Sequence, residues 1–369
     1  MTDRRPDKQR HTGATSPGQV LVIGPHGVTG RAIAEQLSAS AEWNPTTASR
    51  RGAPSRSAEG SAGAPHVSVD LLDAAASAAA FAHLGHVTHL VHAAYVERPT
   101  MAETTAPNLA MLANTLDALR GAGAAVQRVV LIGGGKSYGE HLGPYKTPAK
   151  ESDPRVLGPI FYNDQEDLLA DRSATDGFTW TVLRPDVVIG FNTGSPMNLL
   201  MSIAVFAALS KDAGVPLRFP GSTQAWTALH QFTDADLLAA ATQWALSSDT
   251  ATNEIFNVLN GDQFRWQHLW PDIARDFDMP TAAPQPMSLA DQMADKEAAW
   301  DALVSRHHLQ PTPYDQVASW AFADGIWSAG FDMVQSTIKI RRAGFAGCVD
   351  SHQSLLGHLA RLRELRYVP

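Results

Sequence analysis

The sequence predicts an α/β fold: a Rossmann-type doubly wound parallel sheet with a smaller, mainly helical C-terminal lobe. Three observations predict it. The apolar run Val20–Ile23 leads into Gly24-Pro25-His26-Gly27-Val28-Thr29-Gly30 and then RAIAEQL, which reads as strand, glycine turn and helix. Further short apolar segments alternate with helical ones. Each strand candidate ends in Gly, Ala, Asp or Pro, as strands of a parallel sheet do where they enter loops.

In the first unit Ile33 and Leu37 stand four apart, on one face of the expected helix. Strand candidates follow at 66–70 (HVSVD), 87–94 (VTHLVHAA), 127–134 (QRVVLIGG) and 178–185 (FTWTVLRP), with MLANTLDALRGA and NDQEDLLADRSA as helices between the later ones. The Ala/Gly/Ser-rich stretch 48–65 reads as a loop. Residues 1–18 are polar, lack the apolar core of a secretory signal and read as a disordered tail. After Arg184-Pro185 the rhythm changes. The run LLMSIAVFAAL, 199–209, is too short to cross a bilayer and reads as a buried helix. HQFTDADLLAAATQWAL followed by NEIFNVLNG restores the helix-then-strand order, so residues 228–260 are expected to rejoin the sheet. The expected dinucleotide-binding unit is therefore 19–190 with 228–260, and the substrate lobe 191–227 with the tryptophan-rich 261–369.

At 369 residues and 44% hydrophobic content the chain can bury a full core. A net charge of −8 without a dense Lys/Arg block argues against a nucleic-acid partner. Cys348 is the single cysteine, which excludes an intramolecular disulfide and a multi-cysteine zinc site and suits the cytoplasm. No membrane association is expected, and a homodimer stays open.

Gly24, Gly27 and Gly30 let the backbone turn sharply against a pyrophosphate, while the following helix offers its first amides. A ligand-free packing turn is the competing reading, and Pro25 removes one donor. At the next strand end, Ser49-Arg50-Arg51 replaces the acid that would bind the ribose hydroxyl of NAD. No acidic residue occurs from Asn44 to Arg56, so NADPH is favoured over NADH. Two solvated loop arginines are the alternative. Asp70 is a candidate adenine contact or a helix cap. His83, His86, His89 and His92 recur every third residue, but on a strand His89 and His92 point to opposite faces, so no metal site is expected. Gly135-Lys136-Ser137-Tyr138-Gly139 lacks the G-x-S-x-G order of a hydrolase elbow.

Enzymes on this fold commonly use a tyrosine with a lysine four residues later. None of the tyrosines here has one; after Tyr162 the position is Glu166. Lys136 instead follows the strand VVLIGG, at the sheet edge where ligands bind, and Tyr162 opens the next helix. Consecutive βα positions can converge, so the lysine is expected from the preceding strand end.

With these residues the chain resembles the progesterone 5β-reductase and iridoid synthase-like (PRISE) family of atypical short-chain dehydrogenases/reductases. The resemblance runs from about Gln19 to Pro369 and is carried by the glycine turn, Ser49-Arg50-Arg51, Val87-Thr88-His89, GGGKSYG, FYNDQED, TWTVLRPDVVIGF, SPMNLLMSIAVFAAL, PLRFPGSTQAW, DADLLAAATQWA and NEIFNVLNGDQFRWQHLW. It implies NADPH-dependent reduction of an activated C=C bond in a small apolar enone or enal, with Lys136 and Tyr162 as the catalytic pair. Tyr162 would stabilise the enolate, and Lys136 would lower the Tyr162 pKa and organise the ribose. The implied cofactor set is Gly24, His26, Gly27, Val28, Gly30, Ser49, Arg50, Arg51, Asp70 and Leu71, with Ala94, Gly133, Val188, Ser195 and Met197 at the nicotinamide half. Tyr95, Tyr138, Tyr145 and Phe345 are candidates for the substrate pocket, each with an ordinary core aromatic as its alternative. Three departures surround the pocket: Asn163 replaces the second tyrosine of the FYNDQED motif, Asp186 replaces the usual glycine after Arg-Pro, and Tyr95 a usual tryptophan. A carbonyl reductase or an epimerase- or dehydratase-type enzyme stays open, although the 199–209 helix and the tryptophans favour an apolar substrate over a sugar nucleotide. So does a regulator that senses NADP without turnover.

Overall fold

A computed structural model describes residues 17–54 and 63–369. The expected tail lies outside the described residues up to residue 16, and Gly18 already opens the first strand. Seven parallel strands form the central sheet: β1 (Gly18–Ile23), β2 (Trp43–Ser49), β3 (His66–Ser68), β4 (His89–His92), β5 (Arg128–Ile132), β6 (Thr179–Pro185) and β7 (Glu254–Val258). Their order is β7-β6-β5-β4-β1-β2-β3. Progression reverses between β1 and β4, and the crevice at the carboxyl ends beside such a reversal is where open α/β sheets bind ligands.

The sheet is buried on both faces because its strands are apolar at successive positions. Val20 and Val22 of β1 pack toward α1 (Val28–Ala39), while Leu21 and Ile23 pack toward α2 (Ala74–Phe81) and α3 (Met101–Gly121). Leu169 of α4 (Phe161–Asp176) joins the second layer. His89 packs edge-on to Trp43, and His92 is buried against the other layer; burial lowers both imidazoles to about 4, so each is neutral at pH 7.

A third core lies beyond the sheet. Helix α5 (Leu199–Asp212) is buried from Leu199 to Ser210. It packs with α7 (Trp266–Asp276), α8 (Trp320–Ser328) and α9 (Ser351–Glu364), after α6 (Ala235–Ser247) and β7 have returned to the sheet. Trp266, Trp270 and Trp327 meet edge to face with centroids 5.6–6.0 Å apart. The tryptophans and α5 are therefore core, and the inference that they signal an apolar substrate is corrected: their hydrophobicity is spent on packing inside the lobe.

Asp234 ties this core to the sheet. Its Oδ1 caps α6 by accepting from the amides of Asp236 and Leu237 at 2.8 and 3.2 Å, and its Oδ2 accepts from Ser354 Oγ at 2.5 Å and faces His358 Nε2 at 3.1 Å. Asp234, Asp236 and His358 bring potential ligand atoms within 4.8 Å of one another, but both Asp234 oxygens are already committed to the cap and to α9. Burial pushes the Asp234 carboxyl up, yet the hydrogen bonds from His358 and Ser354 outweigh it and hold it down to about 2. Asp234→Ala is expected to lower the free energy of unfolding by about 2–4 kcal/mol in urea titration at neutral pH. The gap between the two proteins should narrow in acid, because a depressed carboxyl contributes fully above its unfolded pKa and loses that contribution as pH falls toward about 2.

Candidate active site

A cavity of about 980 Å³ opens at the carboxyl edge of the sheet, over the β1/β4 reversal. The glycine turn, Ser49–Arg51 and Asp70–Leu72 line one part of it; Lys136, Tyr162, Asp186 and residues between 319 and 333 line another.

The glycine turn is built by close approach. Gly24 has φ +87°, and a Cβ there would lie 2.8 Å from the Ala93 carbonyl oxygen; one on Gly30 would lie 2.1 Å from that of Gly24. Gly27 caps α1 without any side-chain hydrogen bond, so first-turn amides are left for an anion outside the helix. Two histidines hold the loop after β2: His26 Nε2 lies 2.8 Å from Gly52 O, and His66 Nε2 lies 2.9 Å from Arg51 O. The charged neighbour felt by the Arg51 guanidinium is Arg50, a second cation. Asp70 accepts from the Leu72 amide at 3.1 Å, while Asp73 caps α2 through Ala76. Asp73 thus takes the capping role weighed for Asp70, which stays in the cavity wall. Uncapped amides and guanidinia with no carboxylate between them among the described residues suit a phosphorylated dinucleotide.

Tyr162 and Lys136 reach the same cavity. Tyr162 stands in the first turn of α4 with its hydroxyl 3.0 Å from where a Gly134 Cβ would be; Lys136 lies in the short turn Gly135–Tyr138 after β5. Glu166 explains how Tyr162 is held without a lysine one turn on. It forms a bidentate ion pair with Arg184 of β6, with Nε–Oε1 2.9 Å, Nη2–Oε1 2.7 Å and Nη2–Oε2 2.8 Å, both side chains being buried. Arg155 adds a fourth contact at 3.2 Å. Burial raises the Tyr162 pKa, and Tyr95, Glu140 and Asp186 raise it further. The expectation that Lys136 lowers it is corrected: here the hydroxyl keeps its proton, as a hydrogen-bond donor.

Of the other expected residues, His26, Val28, Leu71, Ala94, Gly133, Val188, Ser195 and Met197 line the cavity, as does Tyr95, whose hydroxyl burial pushes up to about 12. Gly30 sits behind the turn it permits. Tyr138 is directed away: its hydroxyl donates to Asn257 Oδ1 at 2.5 Å, and Arg184 covers its ring. Tyr145 lies one ring back from the lining, edge-on to Phe331 at 6.3 Å, and Phe345 packs on Trp244 at 5.7 Å, beside α6. Sequence reasoning missed Glu140 and the apolar wall formed by Phe322, Ile326, Phe331 and Met333. Glu140 could have been suspected as the carboxylate that immediately follows the GGGKSYG motif; the wall has no local signal, because it comes from chain far from the sheet.

The family described as a PRISE-like Rossmann-fold domain matches residues 66–325. The chain is 34% identical over 364 residues to an (S)-8-oxocitronellyl enol synthase of Camptotheca acuminata, covering 95% of this chain and 93% of that protein. It is 31% identical to a 3-oxo-Δ(4,5)-steroid 5-β-reductase of Arabidopsis thaliana, covering 95% and 92%. Among solved structures it is similar to RMD of Pseudomonas aeruginosa complexed with NADPH, with TM-score 0.66, 17% identity and coverage of 94% and 99%. UDP-glucose 4-epimerase of Thermotoga maritima with UDP-glucose gives TM-score 0.66, 15% identity and the same coverage. Both share the fold.

Removing one partner of a buried ion pair strands the other, so Glu166→Ala is expected to cost about 3–5 kcal/mol of stability by chemical denaturation. Glu166→Gln, which still accepts from Arg184, should cost less.

Proposed function

This chain belongs to the PRISE-like Rossmann-fold family, and from that premise we propose that it is an NADPH-dependent reductase of activated C=C bonds, acting on α,β-unsaturated ketones or aldehydes. The observation that carries this reading is the convergence of Tyr162 and Lys136 on one cavity beside the glycine turn, from consecutive βα positions. The chain is a nicotinamide-dependent oxidoreductase; the choice of NADPH rests on Arg50 and Arg51, which would pair with the 2′-phosphate. The amides at the start of α1 would hold the pyrophosphate, Asp70 and Leu71 the adenine edge, and Ala94, Gly133, Val188, Ser195 and Met197 the nicotinamide half. The single cysteine suits a reducing, cytoplasmic setting, and among the described residues no helix is long and apolar enough to cross a membrane.

When bound, the nicotinamide supplies a hydride to the substrate β-carbon. Tyr162 Oη donates a hydrogen bond to the carbonyl oxygen, where negative charge grows as the enolate forms. Because its proton is tightly held, the hydroxyl stabilises that charge without surrendering the proton. Lys136 adds positive charge to the same wall, and Phe322, Ile326 and Phe331 exclude water and take up the apolar body of the substrate.

NADPH absorbance should fall when the protein meets a panel of enones and enals, and Tyr162→Phe should lower kcat/KM by about 10²–10³-fold while NADPH still binds. Turnover of simple ketones alone would make the protein a carbonyl reductase, and tight NADPH binding with no turnover would make it a sensor. Replacing Arg50 and Arg51 by alanine should raise KM for NADPH by about tenfold or more and leave KM for NADH nearly unchanged.

A further inference from the structure

We propose that Glu140 and Asp186 form a carboxyl pair sharing one proton in the cavity wall beside Tyr162, and that this proton is delivered to the α-carbon of the substrate. The inference deepens the reductase reading and rests on it. Glu140 and Asp186 line the same cavity as Lys136 and Tyr162. The Tyr162 hydroxyl lies 3.0 Å from the Cβ position of Gly134, and Glu140 Oε2 lies 2.2 Å from that of the next residue, Gly135. Hydroxyl and carboxyl are therefore presented over consecutive glycines, where side chains would block both.

Glu140 Oε2 is buried and accepts no hydrogen bond. It faces the Asp186 carboxyl instead, and Asp186 is 7% exposed. Its backbone is fixed by donation to Thr233 Oγ1 at 3.0 Å and by the left-handed Val187, φ +39°, an uncommon conformation for a β-branched residue. A buried acceptor facing another acceptor is satisfied only if one of them carries a proton. Gln335, 2% exposed, also faces Asp186, and its side-chain hydrogen bond favours the ionised form of that carboxyl.

The charges around the pair favour a single shared proton. Burial first, then the charge of Asp186, raises Glu140 well above the usual carboxylate range against the opposing pull of Lys136, and burial lifts Asp186 to about 6. The ionisable groups facing the pair are Lys136 after β5, Tyr162 on α4 and Tyr145 on the intervening loop, with Tyr95 and Tyr138 next outward. With one proton the pair is a monoanion opposite the Lys136 ammonium. A general acid works best with a pKa near the operating pH, which favours this carboxyl over the tightly protonated Tyr162.

Reduction adds one hydride and one proton. The hydride pair forms the β-carbon C–H bond, and the π electrons move onto the α-carbon and carbonyl oxygen. The shared proton then forms the α-carbon C–H bond, leaving both carboxylates ionised beside Lys136 until water at the exposed rim near Leu142 returns a proton.

The test compares the parent with Glu140→Gln and Asp186→Asn, which keep shape but cannot share an acidic proton. Enone reduction in D₂O, quenched promptly, should give the parent one α-deuterated epimer, with a rate that falls as pH rises through the raised Glu140 pKa. Each variant should lose at least about tenfold in rate, give both epimers and lose that pH dependence, with NADPH affinity by fluorescence unchanged. Infrared difference spectra of the protein alone should show a protonated-carboxyl band at neutral pH that both variants remove. An active parent lacking that band, or variants that keep single-epimer labelling and the parental pH profile, would overturn this inference alone. A parent that reduces no enone would overturn the reductase reading and the proton delivery with it.

Discussion

The buried ion pair between Glu166 and Arg184 is the constraint around which the site is arranged. Arg184 stands on β6, so the pair bolts α4 directly to the sheet one turn beyond Tyr162. Its influence spreads sideways as well: Arg184 covers the Tyr138 ring, Tyr138 bonds Asn257 of β7, and Asn257 reaches the carbonyls of Ala149 and Ser336. The loop after β5, the helix carrying the tyrosine and the edge strand are thereby fixed by one cation. Two charges taken from water are costly unless fully satisfied, and here three short hydrogen bonds and Arg155 satisfy them. The gain is positional: Tyr162 stays where a small displacement would forfeit catalysis.

The cavity has two electrostatic characters. Where α1 begins it presents amides and guanidinium groups, matched to phosphate. Around Tyr162 it presents carboxyls, neutral phenols and one ammonium, and there burial governs the protonation states. A buried tyrosine with a raised pKa serves a developing oxyanion as a fixed dipole, which needs no reorganisation as the charge appears.

Much of the sheet was legible in the sequence because its signals are local. Gly24 and Gly30 mark a turn that admits no Cβ, and Val20–Ile23 is a continuous apolar run because both faces of β1 are covered. The convergence of Lys136 and Tyr162 could be anticipated from their places at consecutive strand ends. Burial misled in the other direction. A tryptophan looks the same in a sequence whether it packs a core or lines a pocket, so Trp266, Trp270 and Trp327 were credited to the substrate although they face one another. Phe345 and Tyr138 illustrate the same ambiguity at single residues. The Tyr162 pKa was misjudged because proximity to Lys136 could be argued from topology, whereas the desolvation that raises it, with Tyr95, Glu140 and Asp186 acting in the same direction, depends on the whole surrounding wall.

Helix α8 separates two tasks along its length. Ala323 and Trp327, four residues apart, enter the aromatic core, while Phe322, Gly325 and Ile326 border the cavity. Phe322 and Ile326 also pack against the aromatic core, whereas the glycine turn and the bolt beneath Tyr162 come from other elements. Evolution can therefore rewrite the shape of this wall, bulk for bulk, while the machinery opposite stays unaltered, and a lineage built on this scaffold can change its diet without relearning its chemistry.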